Sequence, residues 1–278
     1  MPAPDRLLRR AVKSASAVLD TVHRPGPGVV VLIYHRVGGG SGLEVDLPVD
    51  MFEAQAEALA ASGRVIPLGD ALARLAQPTD PAAADSAAEP VVVTFDDGTA
   101  DFVERALPIL ERCQLPVTLY AATSYIDEGR PFPDDGRPLS WRGLADANTT
   151  GLVDVGSHTH GHRLLDRLRS DEVASELDRS IELIGQHIGR RPLDFAYPKA
   201  VPGSATADSA VRQRFRSAAL AGTRSNPFGS TDPYRLARSP IQRSDGMRWF
   251  ERKVDGGMAM EDGLRRVLNR WRYAGATT

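Results

Sequence analysis

Two adjacent carboxylates follow a short apolar run in the first half of the chain. The run Val91–Phe95 is typical of a buried strand, and Asp96, Asp97 and Gly98 come directly after it. Two carboxylates this close repel each other unless a cation or a shared proton offsets their charge. The same residues also suit a plain turn after a strand. By themselves they therefore leave both a cation site and a structural turn open.

A cluster of histidines provides a second set of candidate residues. His158, His160 and His162 lie close together directly after the apolar run 152–155. If the segment continues as a helix, His158 and His162 are four residues apart and lie on one face, from which both imidazoles reach a single ion. His160 then points elsewhere. A histidine-rich surface turn without an ion is the alternative.

Both clusters follow predicted strands, and the C-terminal ends of parallel strands meet at the same face of a barrel. The carboxylates and imidazoles are therefore expected to lie close together. Two imidazoles and one carboxylate leave positions for water and substrate on a divalent ion, and zinc is the default ion for this ligand set. Such a site supports hydrolysis of an amide or ester, and the other carboxylate is free to accept a proton.

Alternating strand and helix patterns indicate how the chain positions these residues. Short β-branched runs predict strands at 29–35, 64–68, 91–95, 116–122, 152–156, 193–197 and 217–221. Helical patterns lie at 50–62, 69–76, 101–113, 141–149, 171–188, 205–215 and 247–273. Strands and helices in this order predict an α/β fold, a distorted (β/α)7-type barrel in a single domain over residues 29–278. Residues 77–90 are rich in proline and alanine and lack aromatic residues, which predicts a mobile loop.

Composition and charge exclude several classes of function. The formal net charge of −2 gives no electrostatic basis for binding nucleic acid. Cys113 is the only cysteine, so the chain can form neither an internal disulfide nor a cysteine-rich zinc site. The longest apolar run, 29–34, is far too short to span a bilayer, and residues 1–28 lack the apolar stretch of a secretory signal. These features predict a soluble protein, cytoplasmic or peripheral to a membrane.

The basic, roughly amphipathic arm at residues 1–28 has two interpretations. It suits contact with an anionic membrane surface, but packing of a helix against the barrel, or a frayed arm, is the simpler interpretation.

Four motifs together resemble a known family. They are Thr94 to Gly98 (TFDDG) and Ser157 to His162 (SHTHGH), with support from 195–198 (FAYP) and 32–37 (LIYHRV). With them the chain resembles the polysaccharide deacetylases of carbohydrate esterase family 4, which also contains chitin-oligosaccharide deacetylases. The resemblance spans roughly residues 29 to 240. It implies a metal-dependent hydrolase that removes N-acetyl groups from an N-acetylated carbohydrate, on a distorted barrel with fewer than eight units.

The resemblance also implies roles for individual residues. Asp96 corresponds to the general base, and Asp97, His158 and His162 correspond to the metal ligands. Residues expected to contribute to substrate binding are Tyr197, Pro198, Lys199 and Arg238.

Two departures from the family pattern concern catalysis. Many members carry an arginine in the third motif that orients the base, whereas Ala196 occupies that place here, so Lys199 or Arg238 is expected to substitute. The family's late Leu-x-His motif, which supplies the general acid, is absent because no histidine follows His187. His35 ends the first predicted strand on the same rim, and we therefore predict it as the catalytic acid.

Two other functions remain open on sequence grounds. Barrel enzymes with a similar metal face hydrolyse other non-peptide C–N bonds, such as those of cyclic imides. A carbohydrate-binding protein that has lost catalysis is the second alternative, but retention of Asp96, which has no ligand role in this scheme, argues against it.

Overall fold

The computed structural model describes residues 13, 14, 16, 26–38, 40–78 and 89–259. Most of the predicted arm at 1–28, most of the predicted loop at 77–90 and the later part of the predicted helix at 247–273 lie outside the described residues. Among the described residues, none of the helices has the length and apolar character required to cross a membrane.

Parallel strands form the centre of the molecule. In chain order the strands are β1 (Gly28–Tyr34), β2 (Arg36–Val37), β3 (Asp46–Leu47), β4 (Val91–Phe95), β5 (Val117–Ala121), β6 (Val153–Ser157), β7 (Asp194–Ala196), β8 (Ser217–Ala221), β9 (Asn226–Pro227) and β10 (Leu236–Pro240). Within the described part of the chain, seven of them pair in parallel in the order β1, β4, β5, β6, β7, β8 and β10, and β10 pairs again with β1. The sheet is thus a closed barrel, which confirms the predicted fold class.

Helices cover the outside of the barrel and one of its ends. They are α1 (Val49–Ser62), α2 (Leu68–Leu75), α3 (Leu107–Cys113), α4 (Thr123–Glu128), α5 (Trp141–Thr149), α6 (Ser170–Ile188), α7 (Ala205–Arg214) and α8 (Gly246–Val254). A π-helical turn, Phe102–Ala106, leads into α3, and the two together form the helix predicted at 101–113. The other helices predicted between residues 50 and 215 are also present, whereas the short α4 was not predicted.

One predicted strand is wrong, and one barrel strand was missed. In the segment 64–68 only Val65 forms a β-bridge, to Val91, and Pro67 then precedes α2. Proline has no N–H to donate and suits a helix start, so the apolar run ends there. The seventh barrel strand is instead β10, whose Arg238 and Pro240 interrupt the apolar pattern that identifies a buried strand.

The alternating side chains of the strands form two separate apolar layers. Val30 and Leu32 of β1 face outward against the surrounding helices, whereas Val29 and Val31 face into the barrel. Side chains from strands around the barrel meet those inner residues, and so do Leu68, Ala71 and Leu75 of α2. The α2 helix therefore closes the end at which the strands begin. The opposite rim, where the strands end, is left for the candidate functional residues.

Candidate active site

Asp97, His158 and His162 bring three metal-binding atoms together at the C-terminal rim of the barrel. The Oδ1 atom of Asp97 lies 3.4 Å from Nε2 of His162 and 3.7 Å from Nε2 of His158. The ligand atoms of all three residues lie within 4.8 Å of one another. The side chains of Asp97 and His162 are 22% and 20% exposed, whereas that of His158 is buried. The cluster is therefore buried on one side and open to solvent on the other.

A neighbouring strand fixes the orientation of His158. Its Nδ1 lies 2.8 Å from the main-chain oxygen of Ala196, which only accepts, so Nδ1 donates and Nε2 faces Asp97. Burial lowers the pKa of His158 to about 4. Burial and the nearby Lys199 lower the pKa of His162 to about 4 as well. Both imidazoles are therefore neutral near pH 7, which is the form that binds a metal ion.

Asp96 is buried beside the cluster and has a partner of its own. The fully buried Arg238 donates from Nη1 to Oδ1 of Asp96 at 2.6 Å and from Nη2 to Oδ2 at 2.8 Å. Burial raises the pKa of Asp96, but Arg238 and His158 outweigh it and bring the pKa to about 2. Arg238 also donates to the hydroxyl of Thr94 at 3.1 Å. The pair thus keeps Asp96 ionised and fixes the plane of its carboxylate.

The histidine segment does not continue as a helix, which corrects the geometry expected from the spacing of its histidines. Thr159 and His162 adopt left-handed conformations, with φ of 64° and 57°. Such residues end a helix rather than extend it. The rings of His158 and His162 still meet, with centroids 4.8 Å apart, because the turn brings them together. His160 points elsewhere, as predicted, and its Nδ1 lies 3.0 Å from the hydroxyl of Thr123.

Main-chain contacts of α4 join the two loops that carry these residues. The N–H of Ala122 donates to the carbonyl oxygen of Asp97 at 2.9 Å, and the N–H of Ser124 donates to that of His160 at 2.8 Å. Asp97 itself has a φ of 73°. Left-handed residues other than glycine cost about 1–3 kcal/mol each and persist where surrounding contacts hold them, commonly at functional sites.

Comparisons with known proteins give a family match for the central part of the chain. Residues 83–218 match the family model described as polysaccharide deacetylase. This segment contains both Asp96 and Asp97 and the whole histidine cluster.

The segment 83–218 is thus similar to the polysaccharide deacetylase family.

Solved structures show that the fold is shared with deacetylases. The deacetylase PplD of Streptococcus pyogenes is 18% identical, with a TM-score of 0.70 over 82% of this chain and 99% of that one. IcaB from Ammonifex degensii is 24% identical, with a TM-score of 0.69 over 83% and 98% of the two chains. A polysaccharide deacetylase from Bacillus cereus is 18% identical, with a TM-score of 0.67 over 82% and 69%. A comparison with the sequences of curated proteins gives no match.

Within the deacetylase family pattern, the partner of Asp96 comes from an unexpected strand. Of the two replacements considered for the arginine absent at Ala196, it is Arg238 of β10 that reaches Asp96. Lys199 instead lies at the exposed rim, close enough to His162 to influence its pKa. Strand β10 showed no apolar pattern because it contains an arginine and a proline. A buried arginine requires a carboxylate partner, however, and this requirement identifies β10 as a barrel strand.

The other residues assigned from the deacetylase resemblance lie at different depths. His35 is half-buried directly after β1 and influences the pKa of both Asp96 and His162, so it lies at the same rim. Its Nδ1 is buried and has no hydrogen-bond partner among the described residues. Tyr197 is fully buried, and its hydroxyl donates to Asp208 at 3.1 Å. Pro198, the next residue, is also buried.

Sequence reasoning missed two contacts that orient the site. The carbonyl of Ala196 that holds His158 is a main-chain group and leaves no mark in the sequence. The amides of α4 were missed because that helix is too short to show a periodic pattern.

Proposed function

We propose that this chain is a metal-dependent hydrolase that removes N-acetyl groups from an N-acetylated carbohydrate. The observation that carries the proposal is the position of the Asp97 carboxylate, 3.4 and 3.7 Å from Nε2 of His162 and His158, beside the ionised Asp96. The match of residues 83–218 to the polysaccharide deacetylase model supports the choice of substrate class and bond.

The donor set fits a single divalent ion, and Zn²⁺ is the ion we propose. Ligand atoms about 2.0–2.2 Å from one tetrahedral zinc ion lie roughly 3.3–3.6 Å from each other. The spacings from Asp97 to the two imidazoles are of this size. Two imidazoles and one carboxylate also leave room for other ligands, as a catalytic site requires. A bound ion would polarise the acetyl carbonyl and lower the pKa of a coordinated water.

Asp96 has the properties of the general base in this reaction. Hydrolysis adds water to the acetyl carbon, breaks its bond to nitrogen and yields acetate and a free amine. The proton that the water loses goes to the Asp96 carboxylate, which its pKa of about 2 keeps ionised at neutral pH. Arg238 is fully buried and donates to both oxygens of this carboxylate, so we assign it to the base and no longer to the substrate.

The position of His35 supports a role in protonating the departing amine. It lies at the same rim as Asp96 and His162, and its Nδ1 has no partner among the described residues that would occupy it. Imidazoles exchange protons readily near neutral pH. Lys199, exposed beside His162, is the remaining rim residue that we propose to contact the sugar. Tyr197 and Pro198, both buried, would support that rim from below.

The Asp96→Asn variant tests the proposal with an oligomer of N-acetylglucosamine as the probe. Acetate release should fall by about 10²–10⁴-fold because the base is lost, while zinc content stays near one ion per chain. The control is Asp101→Asn, which changes an acid on the same segment that donates no ligand atom to the cluster. Ring opening of simple cyclic imides by the wild type, without release of acetate from the oligomer, would contradict the carbohydrate assignment.

A further inference from the structure

Helix α6 presents a stripe of polar side chains to the turn that carries the histidines. Glu172, Glu176 and Ser180 follow one another at intervals of four residues and therefore share one helix face. Each contacts a different part of the turn. The Ser180 and Ser157 hydroxyls lie 2.7 Å apart, Glu176 accepts from Gly161, and Glu172 accepts from Arg163 at 3.1 Å.

Glu176 makes the central contacts of this stripe. Its carboxylate Oε2 accepts from the main-chain N–H of Gly161 at 2.6 Å, and its main-chain oxygen accepts from the N–H of His160 at 3.1 Å. The residue is only 8% exposed. Among the residues described, no lysine, arginine or histidine forms an ion pair with it. A buried carboxylate is costly without such a partner, so the bond to Gly161 is the main compensation for its charge.

Gly161 has the shape that this contact requires. Its φ is not in the left-handed region, so the backbone conformation does not call for glycine. A Cβ atom at this position would lie 2.9 Å from Oε1 of Glu176, closer than real side chains approach. The glycine therefore provides space for the Glu176 carboxylate to reach the peptide N–H.

The residue after Gly161 is His162, whose left-handed backbone directs its imidazole towards Asp97. Holding the Gly161 amide fixes the peptide unit on one side of this strained residue. We infer that Glu176 is a positioning residue, which presents His162 to the divalent ion through the Gly161 amide. The inference rests on the metal site of the proposed function.

Zinc affinity of the full-length protein, measured by competition with a chelator, tests this role. Glu176→Ala should weaken zinc binding by about 10–100-fold, the usual effect of removing a group that orients a metal ligand. Glu176→Gln should restore affinity close to that of the wild type, because the amide oxygen still accepts from Gly161. The matched control is Glu182→Ala, on the same helix, whose carboxylate is 63% exposed and pairs with Arg179. It should leave affinity unchanged.

A second variant approaches the same contact from the other partner. Gly161→Ala should displace the Glu176 carboxylate and weaken zinc binding in the same direction, so the test stands even if Glu176→Ala does not fold. Wild-type affinity in Glu176→Ala or in Gly161→Ala would overturn the positioning role. Equal losses of zinc affinity in Glu176→Gln and Glu176→Ala would also overturn it. A wild-type protein that binds no zinc would instead contradict the proposed function itself.

Discussion

The adjacent aspartates at the end of β4 have different neighbours, and these neighbours separate their roles. Asp96 lies behind the rim with both oxygens on Arg238, whereas Asp97 turns outward through its left-handed backbone to meet the two histidines. His158 lies near both, with Nε2 3.9 Å from Oδ2 of Asp96 and 3.7 Å from Oδ1 of Asp97, but of these two aspartates only Asp97 also pairs with His162. This difference supports the proposed roles of Asp96 as a base and Asp97 as a metal ligand.

Replacing Arg238 with Gln should both destabilise the protein and lower turnover. The change leaves Asp96 as a buried carboxylate without a counter-charge, which costs about 3–5 kcal/mol of unfolding free energy. Urea unfolding and acetate release measure the two effects.

Arg216→Gln is the matched control, because Arg216 also makes two hydrogen bonds to one buried carboxylate, that of Asp194, at the end of the barrel where strands begin. Its loss should therefore also cost stability, but turnover of the folded variant should persist because Asp194 lies away from the candidate site. Normal turnover in Arg238→Gln would show that Asp96 does not depend on this arginine.

His35→Gln tests the assignment of the acid. Glutamine keeps the size and polarity of the side chain but cannot deliver a proton, so acetate release should fall by about 10²–10⁴-fold. Thermal stability and zinc content should stay close to those of the wild type. A stable, zinc-loaded variant with normal turnover would eliminate His35 as the acid.

At the scale of elements, the periodic patterns of the sequence predicted most of the barrel strands and helices. Strand β10 is the barrel strand that these patterns failed to predict. The apolar run at 64–68 looks like a strand, but Pro67 directs it into α2. In β10, Arg238 occupies an inward position where an apolar residue would be expected. It pairs there with the buried carboxylate of Asp96. A contact between residues so far apart in sequence cannot be read from local periodicity. Likewise, the spacing of the histidines predicted that they meet but not the left-handed turn by which they do so.

Asp245 is the centre of a second buried charge cluster. Its carboxylate, fully buried, accepts from Lys13 at 2.5 Å and from Lys253 of α8 at 2.9 Å. Lys13 also donates to the hydroxyl of Ser244 at 2.9 Å. Burial raises the pKa of Asp245, but the charges of Lys253 and Lys13 lower it by a larger amount. The net shift of this pKa is therefore downward.

Asp245→Asn should lower the free energy of unfolding by about 3–5 kcal/mol near pH 7, since it leaves two buried ammonium groups without their carboxylate. An aspartate with a depressed folded pKa stabilises fully above its unfolded pKa of about 3.9 and loses this contribution as the pH falls through the folded pKa. The difference between wild type and variant should therefore narrow below about pH 4. Urea unfolding at several pH values measures it.

The control for this prediction is Asp255→Asn, since Asp255 is 71% exposed in its pair with Arg64 and its loss should cost at most about 1 kcal/mol. An Asp245→Asn variant as stable as this control would show that the buried cluster does not stabilise the fold.

At the scale of the whole molecule, one end of the barrel is closed and the other end carries the candidate active site. The α2 helix fills the end where strands begin, while β1, β4, β6 and β7 each deliver a candidate residue or its support to the opposite rim. The proposed reaction requires all of these residues together, and the divalent ion would bind at the point where they meet. The dependence of acetate release on that ion is therefore the central claim.

Acetate release from an oligomer of N-acetylglucosamine, before chelation, after exhaustive chelation and after return of one equivalent of Zn²⁺, tests this claim most directly. We expect activity to disappear with the metal and to return with it in the wild type, and to stay absent in His158→Ala, which should retain little zinc. Undiminished acetate release from the chelated wild type, or equal zinc content in the two proteins, would contradict the account.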